Sequence, residues 1–549
     1  MVNKRTPNAN RVRSLSLLLL RDSLPQGFTH DANKAYAKFD QWVSEEGTRN
    51  ALLRAKRVYH VALNAMLNQP DPLYPFLATK RGFPLCVYYL RKYTKTVEGK
   101  RAVLTVLSEY KRVMAPGPVD LSSITDDGPT VKDDLLNEIS SSVKKMRDPL
   151  PPVSYQFRSK NGPNGQAVYT ASLDVSALAR DEALLESCYQ LLDHQSDEIA
   201  DDLMELSEEC QDIPTSIHSK LSIKREYGGK DRVFAIVDYY SQLSLKPLHT
   251  AMNNLLRKIP QDFTFNQEGV RNTITSWYEK GFKTFSSLDL SSATDRFPAT
   301  LQKRVIEKLI SKEFSENWYN LMTNREFSFG KTKVKYAVGQ PMGAYSSWPV
   351  FAYCHHLVVK AAAKRGSIKD YDYIIIGDDI VIRDPEVSRH YCEIMSELGV
   401  SINYSKTLTG EPIEICKRVF TPEGEITPLP LRLIDQCFQD YRLWLQLADW
   451  MLTRGSVALL SKLPLILKRM INSSDYKKVV IAFTFPLGRH WANFDPTFLA
   501  ESRWPRFSIS SMKKIYFQTK YKYLRDTYNN SMKRSLVWTK QPIIEGVPG

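Results

Sequence analysis

The sequence predicts a large folded protein of mixed structure, α/β or α+β, and three observations carry that reading. Strand-like apolar runs at Phe282–Leu288, Tyr373–Ile376 and Ile380–Ile382 alternate with helix-spaced runs at Ala299–Ile310 and Val387–Leu398. Hydrophobic residues make up 43% of the 549 positions and charged residues 25%, the balance of a chain that buries a core. No apolar run approaches the roughly 18 residues of a membrane helix; the longest candidates, Leu15–Leu20 and Leu463–Leu467, are short. At ~150 residues per domain, the length suits three or four domains or one multi-lobed enzyme.

Charge and cysteine usage narrow the class. Lys and Arg number 75 against 60 Asp and Glu, a net +15. This excludes an acidic solvating protein and implies a polyanionic partner, nucleic acid before membrane. Seven cysteines, odd in number and without a C-x-x-C pair, point away from a disulfide scaffold or a zinc ribbon.

The elements follow in chain order. The first acid is Asp22, behind Lys4, Arg5, Arg11, Arg13 and Arg21, so the start reads as a mitochondrial transit peptide or as a basic arm. From Ala32 to Leu67 the apolar spacing is helical. Ala115-Pro116-Gly117-Pro118 and Pro149-Leu150-Pro151-Pro152 read as linkers. Asp181 to Asp212 is acidic and helical, a solvated face without assigned function. Between Glu501 and Gly549 ten basic residues oppose three acids and interleave with Trp504, Phe507, Tyr516, Phe517, Tyr521, Tyr523, Tyr528 and Trp538. That pattern suits a nucleic-acid path, and equally a basic helical surface whose rings are core.

The sharpest chemical signal is Tyr371–Ile382, in which two apolar runs flank Gly377-Asp378-Asp379. It reads as a β-hairpin with acids at its tip. Adjacent carboxylates at a buried turn repel each other unless a cation compensates, and Mg²⁺, which prefers hard oxygen ligands, is the natural one. A second acidic site lies upstream: Asp289 at the end of a strand, with Asp295 expected in the first turn of a helix capped by Ser291 or Ser292. Between them, Gly339–Trp348 is a Gly- and Ser-rich turn leading into the apolar helix Pro349–Ala363. Further upstream, Lys224, Arg225, Lys230 and Arg232 flank Gly228-Gly229 with the composition of a basic, phosphate-clamping loop.

In this order the blocks resemble the palm of viral RNA-dependent RNA polymerases, and more narrowly those of mitoviruses, in the mitovirus–narnavirus group of capsidless RNA replicons. The resemblance rests on Gly229–Tyr239, Asp289–Pro298, Gly339–Trp348 with His355-His356, Ile376–Ile382, Leu398–Leu408 and Ile415–Phe420, and covers roughly Lys224 to Leu431. It implies an α+β right-hand polymerase with fingers, an RRM-like antiparallel-sheet palm and a helical thumb. By position, this assigns 1–150 to an N-terminal helical extension, 151–281 to fingers, 282–430 to the palm and 431–549 to a basic thumb. Asp289 and Asp378 would hold two Mg²⁺ ions about 3.5–4 Å apart, with Mn²⁺ as a possible substitute and Asp379 as a secondary acid. Lys406 would be the general acid for pyrophosphate. Lys230 and Arg232 would contact the triphosphate. Asp295, with Gly343 and Ser346 or Ser347, would read the ribose. Many relatives carry Asn four residues after the hydroxyl position, where this chain has Phe351. Lys417 and Arg418 would grip the product strand, and His355 and His356 would pack within the palm helix.

The resemblance further implies an RNA template, NTP substrates, no capsid protein and residence in the host mitochondrion, with the host cytoplasm as the alternative. The rivals are a catalytically dead, host-integrated RNA-binding relic and a reverse transcriptase. Asp295, placed where a reverse transcriptase needs a bulky ring, disfavours the second. The chain has no Gly-x4-Gly-Lys-[Ser/Thr] loop, which disfavours a helicase.

Overall fold

The structure is a computed structural model that describes residues 9–454, except 21–23, 71–73, 75–76, 157–159, 168, 211, 405 and nine positions between 440 and 453. Almost all of the expected thumb, with its basic-aromatic stretch, therefore lies outside the described residues. Contacts divide the chain into one unit drawn from Met1–Asp40, Val87–Arg112 and Pro428–Gly549 and a second from Gln41–Cys86 and Val113–Thr427. Among the described residues no helix is long and apolar enough to cross a membrane.

In the first unit the described part of the basic start, Ala9–Leu20, is a packed helix with Val12, Leu15, Leu17, Leu19 and Leu20 buried. Arg13 sits between Asp40 and Glu109, donating to both at 2.8 Å.

The second unit holds every block of the resemblance. Helix α1 (Phe28–Met66), broken at Gly47, supplies its residues from Gln41 onward. Strands β1 (Ser219–Glu226) and β2 (Lys230–Val237) pair antiparallel along their whole length. The expected basic loop is thus a hairpin turning at Tyr227-Gly228-Gly229. Helix α2 (Tyr239–Leu256) starts where Asp238 accepts the backbone N–H of Ser241 at 2.7 Å. Then come β3 (Phe285–Leu288), the one-turn α3 (Ala293–Arg296), α4 (Ala299–Leu309), α5 (Lys312–Thr323), β4 (Phe327–Phe329) and β5 (Thr332–Val334). They are followed by α6 (Ser347–Arg365), β6 (Tyr373–Ile376), β7 (Asp379–Ile382), α7 (Pro385–Glu397), β8 (Leu408–Gly410), β9 (Ile413–Ile415) and β10 (Arg418–Thr421).

Strands β8-β3-β7-β6 form one antiparallel sheet in that order. The first strand of the set is central, the hairpin β6–β7 lies on one side and the last strand on the other, with helices as crossovers. This is the split βαβ arrangement of an RRM-like sheet. Phe285, Ile374 and Val381 face a cluster with Phe263, Ile274, Trp277, Ile413 and Phe420. Leu288, Tyr373, Ile375, Ile380 and Ile382 face the larger core of α4, α6 and α7. Both faces are buried, and this is why Tyr373–Ile376 reads as an unbroken apolar run rather than an alternating one.

The other sheet has the order β2-β1-β4-β5. Its root is polar and buried: Arg325, 1% exposed, donates to Leu321 O at 2.8 Å, Ser219 Oγ at 2.9 Å, Asp238 Oδ2 at 3.0 Å and Ser241 Oγ at 2.6 Å. Beside it Asp174 accepts from Asn164 Nδ2 at 2.7 Å and from Tyr239 N at 3.0 Å. Burial, and next the charge of Asp238, push the Asp174 carboxyl up to about 7. The folded state then holds this proton more tightly than the unfolded chain between pH ~4 and ~7, so stability is lost as pH rises through that window. We expect Asp174→Asn to remove a slope on the order of 2 kcal/mol between pH 5 and pH 8 in denaturant unfolding. An unchanged slope would contradict this assignment.

The first Pro-rich segment is more than a spacer. A Cβ on Gly117 would lie 2.7 Å from the backbone N of Asp231, so the first supposed linker lies against the β1–β2 turn.

Candidate active site

Register alone brings the acids together. β3 pairs with β7 as Ser286↔Ile382, Ser287↔Val381 and Leu288↔Ile380. One step further along the ladder sets Asp289 opposite Asp379, next to Asp378 in the hairpin loop. On the other side, β8 pairs with β3 as Leu408↔Ser287, and the same extrapolation sets Lys406 opposite Asp289. Lys406 Nζ indeed bonds Asp289 Oδ2 at 2.7 Å, with both side chains about one-third exposed. Asn403 N–H donates to Asp289 O at 2.7 Å and fixes the loop before β8.

The hairpin β6–β7 turns through Gly377 and Asp378, with Gly377 at φ 68° in the first loop position, where a II′-like turn places glycine. Asp378 is exposed. Burial, followed by the charges of Asp378 and then Asp289, raises the Asp379 carboxyl above the ordinary carboxylate range, while Cys416 donates to it and opposes the rise. The three carboxylates repel one another and offer hard oxygen donors; a divalent cation fits both facts. Among the described residues, however, no three His, Cys, Asp or Glu side chains are gathered closely enough to hold an ion as placed. One oxygen of Asp289 is instead held by the Lys406 ammonium.

Helix α6 underlies this turn. Trp348 and His355 stand seven residues apart, hence on one face. A Cβ on Gly377 would lie 2.9 Å from Trp348 Nε1. His355 Nδ1 is 2.9 Å from Gly377 O, and Nε2 is 2.7 Å from the Tyr391 hydroxyl. Burial lowers the His355 pKa to about 4, so the ring is neutral. The carbonyl can only accept, so Nδ1 carries the proton and Tyr391 donates to Nε2. His356 bonds the Tyr373 hydroxyl and Asp262 Oδ2, at 3.1 and 3.0 Å. Both histidines are therefore internal supports. Phe351 packs edge-on to Phe297 at 5.0 Å and is 1% exposed. The position where relatives carry Asn faces the core in this chain.

Asp295 lies in α3, a single turn rather than the expected longer helix, and no serine side chain caps it: Ser292 is left-handed (φ 48°) without a capping bond. Asp295 Oδ2 accepts from Ser123 Oγ at 2.9 Å. Burial raises its pKa, against the pull of Ser123, Arg232, Arg296 and Lys230. Ser123 was missed by sequence reasoning, being one hydroxyl in an unremarkable polar segment. Arg232 and Lys230 project from β2 into this field, Lys230 also sensing Lys406 and Asp289. Arg232 pairs with Glu226 at 3.2 Å.

Three expected contacts take a different form. Gly343, at φ 124°, lets the loop meet β2: a Cβ there would lie 2.2 Å from Ala235 O, and Ala235 N–H donates to Met342 O at 2.7 Å. Its part is backbone packing. The Ser346 hydroxyl is fully buried and accepts the Trp318 indole N–H at 2.9 Å, whereas Ser347 opens α6. Of the two serines, Ser346 is thus committed to the core. Arg418 is also buried, forked onto Glu425 at 3.1 and 2.9 Å with Gln267 O at 3.0 Å. It braces the β9–β10 hairpin and does not offer itself to a strand. Lys417, in the left-handed turn Cys416-Lys417 (φ 48° and 64°), is exposed.

A family model described as Mitovirus RNA-dependent RNA polymerase matches residues 150–541. The RNA-directed RNA polymerase of Cryphonectria parasitica mitovirus 1 is 35% identical over 206 residues, 37% of this chain and 25% of that protein. The match thus spans about a quarter of that viral relative's length. An uncharacterized mitochondrial protein of Arabidopsis thaliana is 34% identical over 178 residues, 31% of this chain and 84% of that one. Among solved structures, the RNA-dependent RNA polymerase of a human picorbirnavirus aligns with a TM-score of 0.45 at 12% identity, covering 72% of this chain and 82% of that chain. With the matched family model spanning well over half of its length, the chain belongs to the mitovirus RNA-dependent RNA polymerase family.

Proposed function

We propose that this chain copies RNA from an RNA template, joining ribonucleotides from NTPs to an RNA 3′-hydroxyl and replicating both strands of a capsidless replicon in the host mitochondrion. The observation that carries the reading is the sheet register setting Asp289 beside the Asp378-Asp379 turn. Viral polymerases of this type use divalent ions. Asp289 and Asp378 would hold them, with Asp379 as the neighbouring acid; Mg²⁺, or Mn²⁺ in its place, would supply charge neutralisation at the reacting phosphate.

The chain's own residues do the remainder. Lys230 and Arg232 stand on a rigid two-stranded ribbon and orient the triphosphate. Asp295, steadied by Ser123, accepts the 2′-hydroxyl of the incoming ribose, with Ser347 the serine whose hydroxyl is not taken by Trp318. With Asp289 taken up by a cation, Lys406 would be free to hand a proton to the departing pyrophosphate. Lys417, on its strained turn, holds the product strand. In this scheme 151–281 act as fingers, 282–430 as palm and 431–549 as thumb.

Primer extension on an RNA template tests the proposal. The wild-type chain is expected to incorporate ribonucleotides well above an Asp289→Asn control and to prefer them to deoxynucleotides. Asp295→Ala should reduce that preference about tenfold or more, since a buried group left without its hydroxyl partner discriminates strongly. Incorporation no greater than the control would refute the polymerase reading, and a preference for deoxynucleotides would favour reverse transcription.

A further inference from the structure

Lys56 lies on α1, well before residue 150, where the match to the family begins. It is nevertheless within the fields of Lys406, Lys230, Asp289 and Lys417. The route is visible in the packing. Leu52, fully buried, touches the turn of the β1–β2 ribbon: a Cβ on Gly229 would lie 3.5 Å from Leu52 Cδ1 and 3.7 Å from its Cβ. Lys56 is one helical turn further along, on the face that Leu52 presents to Gly229 and hence to Lys230. It is half-buried, between the buried Ala55 and the exposed Arg57.

Four lysines from four separate segments therefore act on one electrostatic field: Lys56 from α1, Lys230 from β2, Lys406 before β8 and Lys417 from the β9–β10 turn. Among them only Lys406 has a short ion pair, to Asp289. Burial, and then the charges of Lys406 and Lys230, lower the Lys56 pKa, against the pull of Asp289. Clustered cations that repel one another are stable together when a polyanion bridges them. The acids alongside are those expected to hold the reacting phosphate, so the anion that fits is the β,γ-diphosphate end of a nucleotide rather than a lone backbone phosphate.

We propose that Lys56 is a third phosphate-binding lysine of the active site, acting with Lys230 and Lys406 on the triphosphate of the incoming nucleotide. This rests on the polymerase reading, which also selects the triphosphate as the ligand. The part of α1 after Gly47 then completes the nucleotide site.

The test uses the full-length chain with Lys56→Ala and Lys56→Arg. Binding of a fluorescent ribonucleoside triphosphate and of the corresponding monophosphate is measured without RNA, beside KM, kcat, RNA affinity and the thermal midpoint. Lys56→Ala is expected to weaken triphosphate binding and raise KM about tenfold, the size of one charge-assisted contact. Monophosphate binding, RNA affinity and the thermal midpoint should stay within twofold or a degree or so, and Lys56→Arg should recover most of the loss. Triphosphate binding unchanged in Lys56→Ala overturns the proposal, as does a fall in RNA affinity with KM unaltered. If the wild-type chain binds triphosphate through Lys56 yet extends no primer, the polymerase reading fails while this assignment stands.

Discussion

Replacing Asp378 with alanine is expected to lower nucleotide incorporation by about three orders of magnitude or more, with RNA binding and thermal stability intact. The size follows from removing a carboxylate from the point where charge is neutralised during phosphoryl transfer, where even a single neutral donor is worth about 100- to 1000-fold. Stability should hold because Asp378 is exposed at a loop tip whose left-handed position is taken by Gly377. Removal also relieves Asp379, whose carboxyl is raised first by burial and next by the charge of Asp378. A variant that unfolds several degrees earlier, or one that still incorporates at a tenth of the wild-type rate, would show that Asp378 serves the turn rather than the chemistry.

The largest effect on stability is expected from Arg325→Met. This guanidinium ties α5 to the root of the β1–β2 ribbon through Ser219, and to the cap of α2 through Asp238 and Ser241. Taking it away leaves Asp238 buried beside Asp174 with its principal cation gone, a loss of about 3–5 kcal/mol. Because the ribbon carries Lys230 and Arg232, nucleotide binding should weaken as well. Pairing Arg325→Met with Asp238→Asn should restore part of the stability, since the uncompensated charge disappears. If the double variant is no more stable than the single one in denaturant unfolding, the cost lies in lost packing and not in the orphaned carboxylate.

Much of the catalytic sheet was legible in the sequence because its strands obey one simple rule. β6 and β7 are buried on both faces, so they appear as uninterrupted Ile and Val around Gly377-Asp378, and the loop length fixes their register. The partner strand is harder to read: β3 has serines at Ser286 and Ser287, and it begins three residues later than its apolar start suggests. The β1–β2 ribbon was taken for a loop because its strands are rich in charge; Gly228-Gly229 between two runs of equal length was the available hairpin signal. Arg418 is hard to read from sequence because adjacent residues at a turn point in opposite directions. Lys417 occupies the loop, Arg418 enters the strand facing inward, and its partner Glu425 comes from the next strand. Lys56 left no trace in spacing, since a single lysine on a helix surface is the commonest of arrangements and only the fold brings it to Lys230 and Lys406.

The sharing of a cation site by Asp289 and Asp378 is tested most directly by Mn²⁺ binding, followed by electron paramagnetic resonance with primed RNA and a ribonucleoside triphosphate present. Asp289→Asn and Asp378→Asn should each weaken Mn²⁺ binding at least tenfold relative to wild type, and the double variant should be little worse than either, as two ligands of one centre behave. Mn²⁺ affinity equal to wild type in either single variant, or losses that simply add, would mean that the two carboxylates do not share a site.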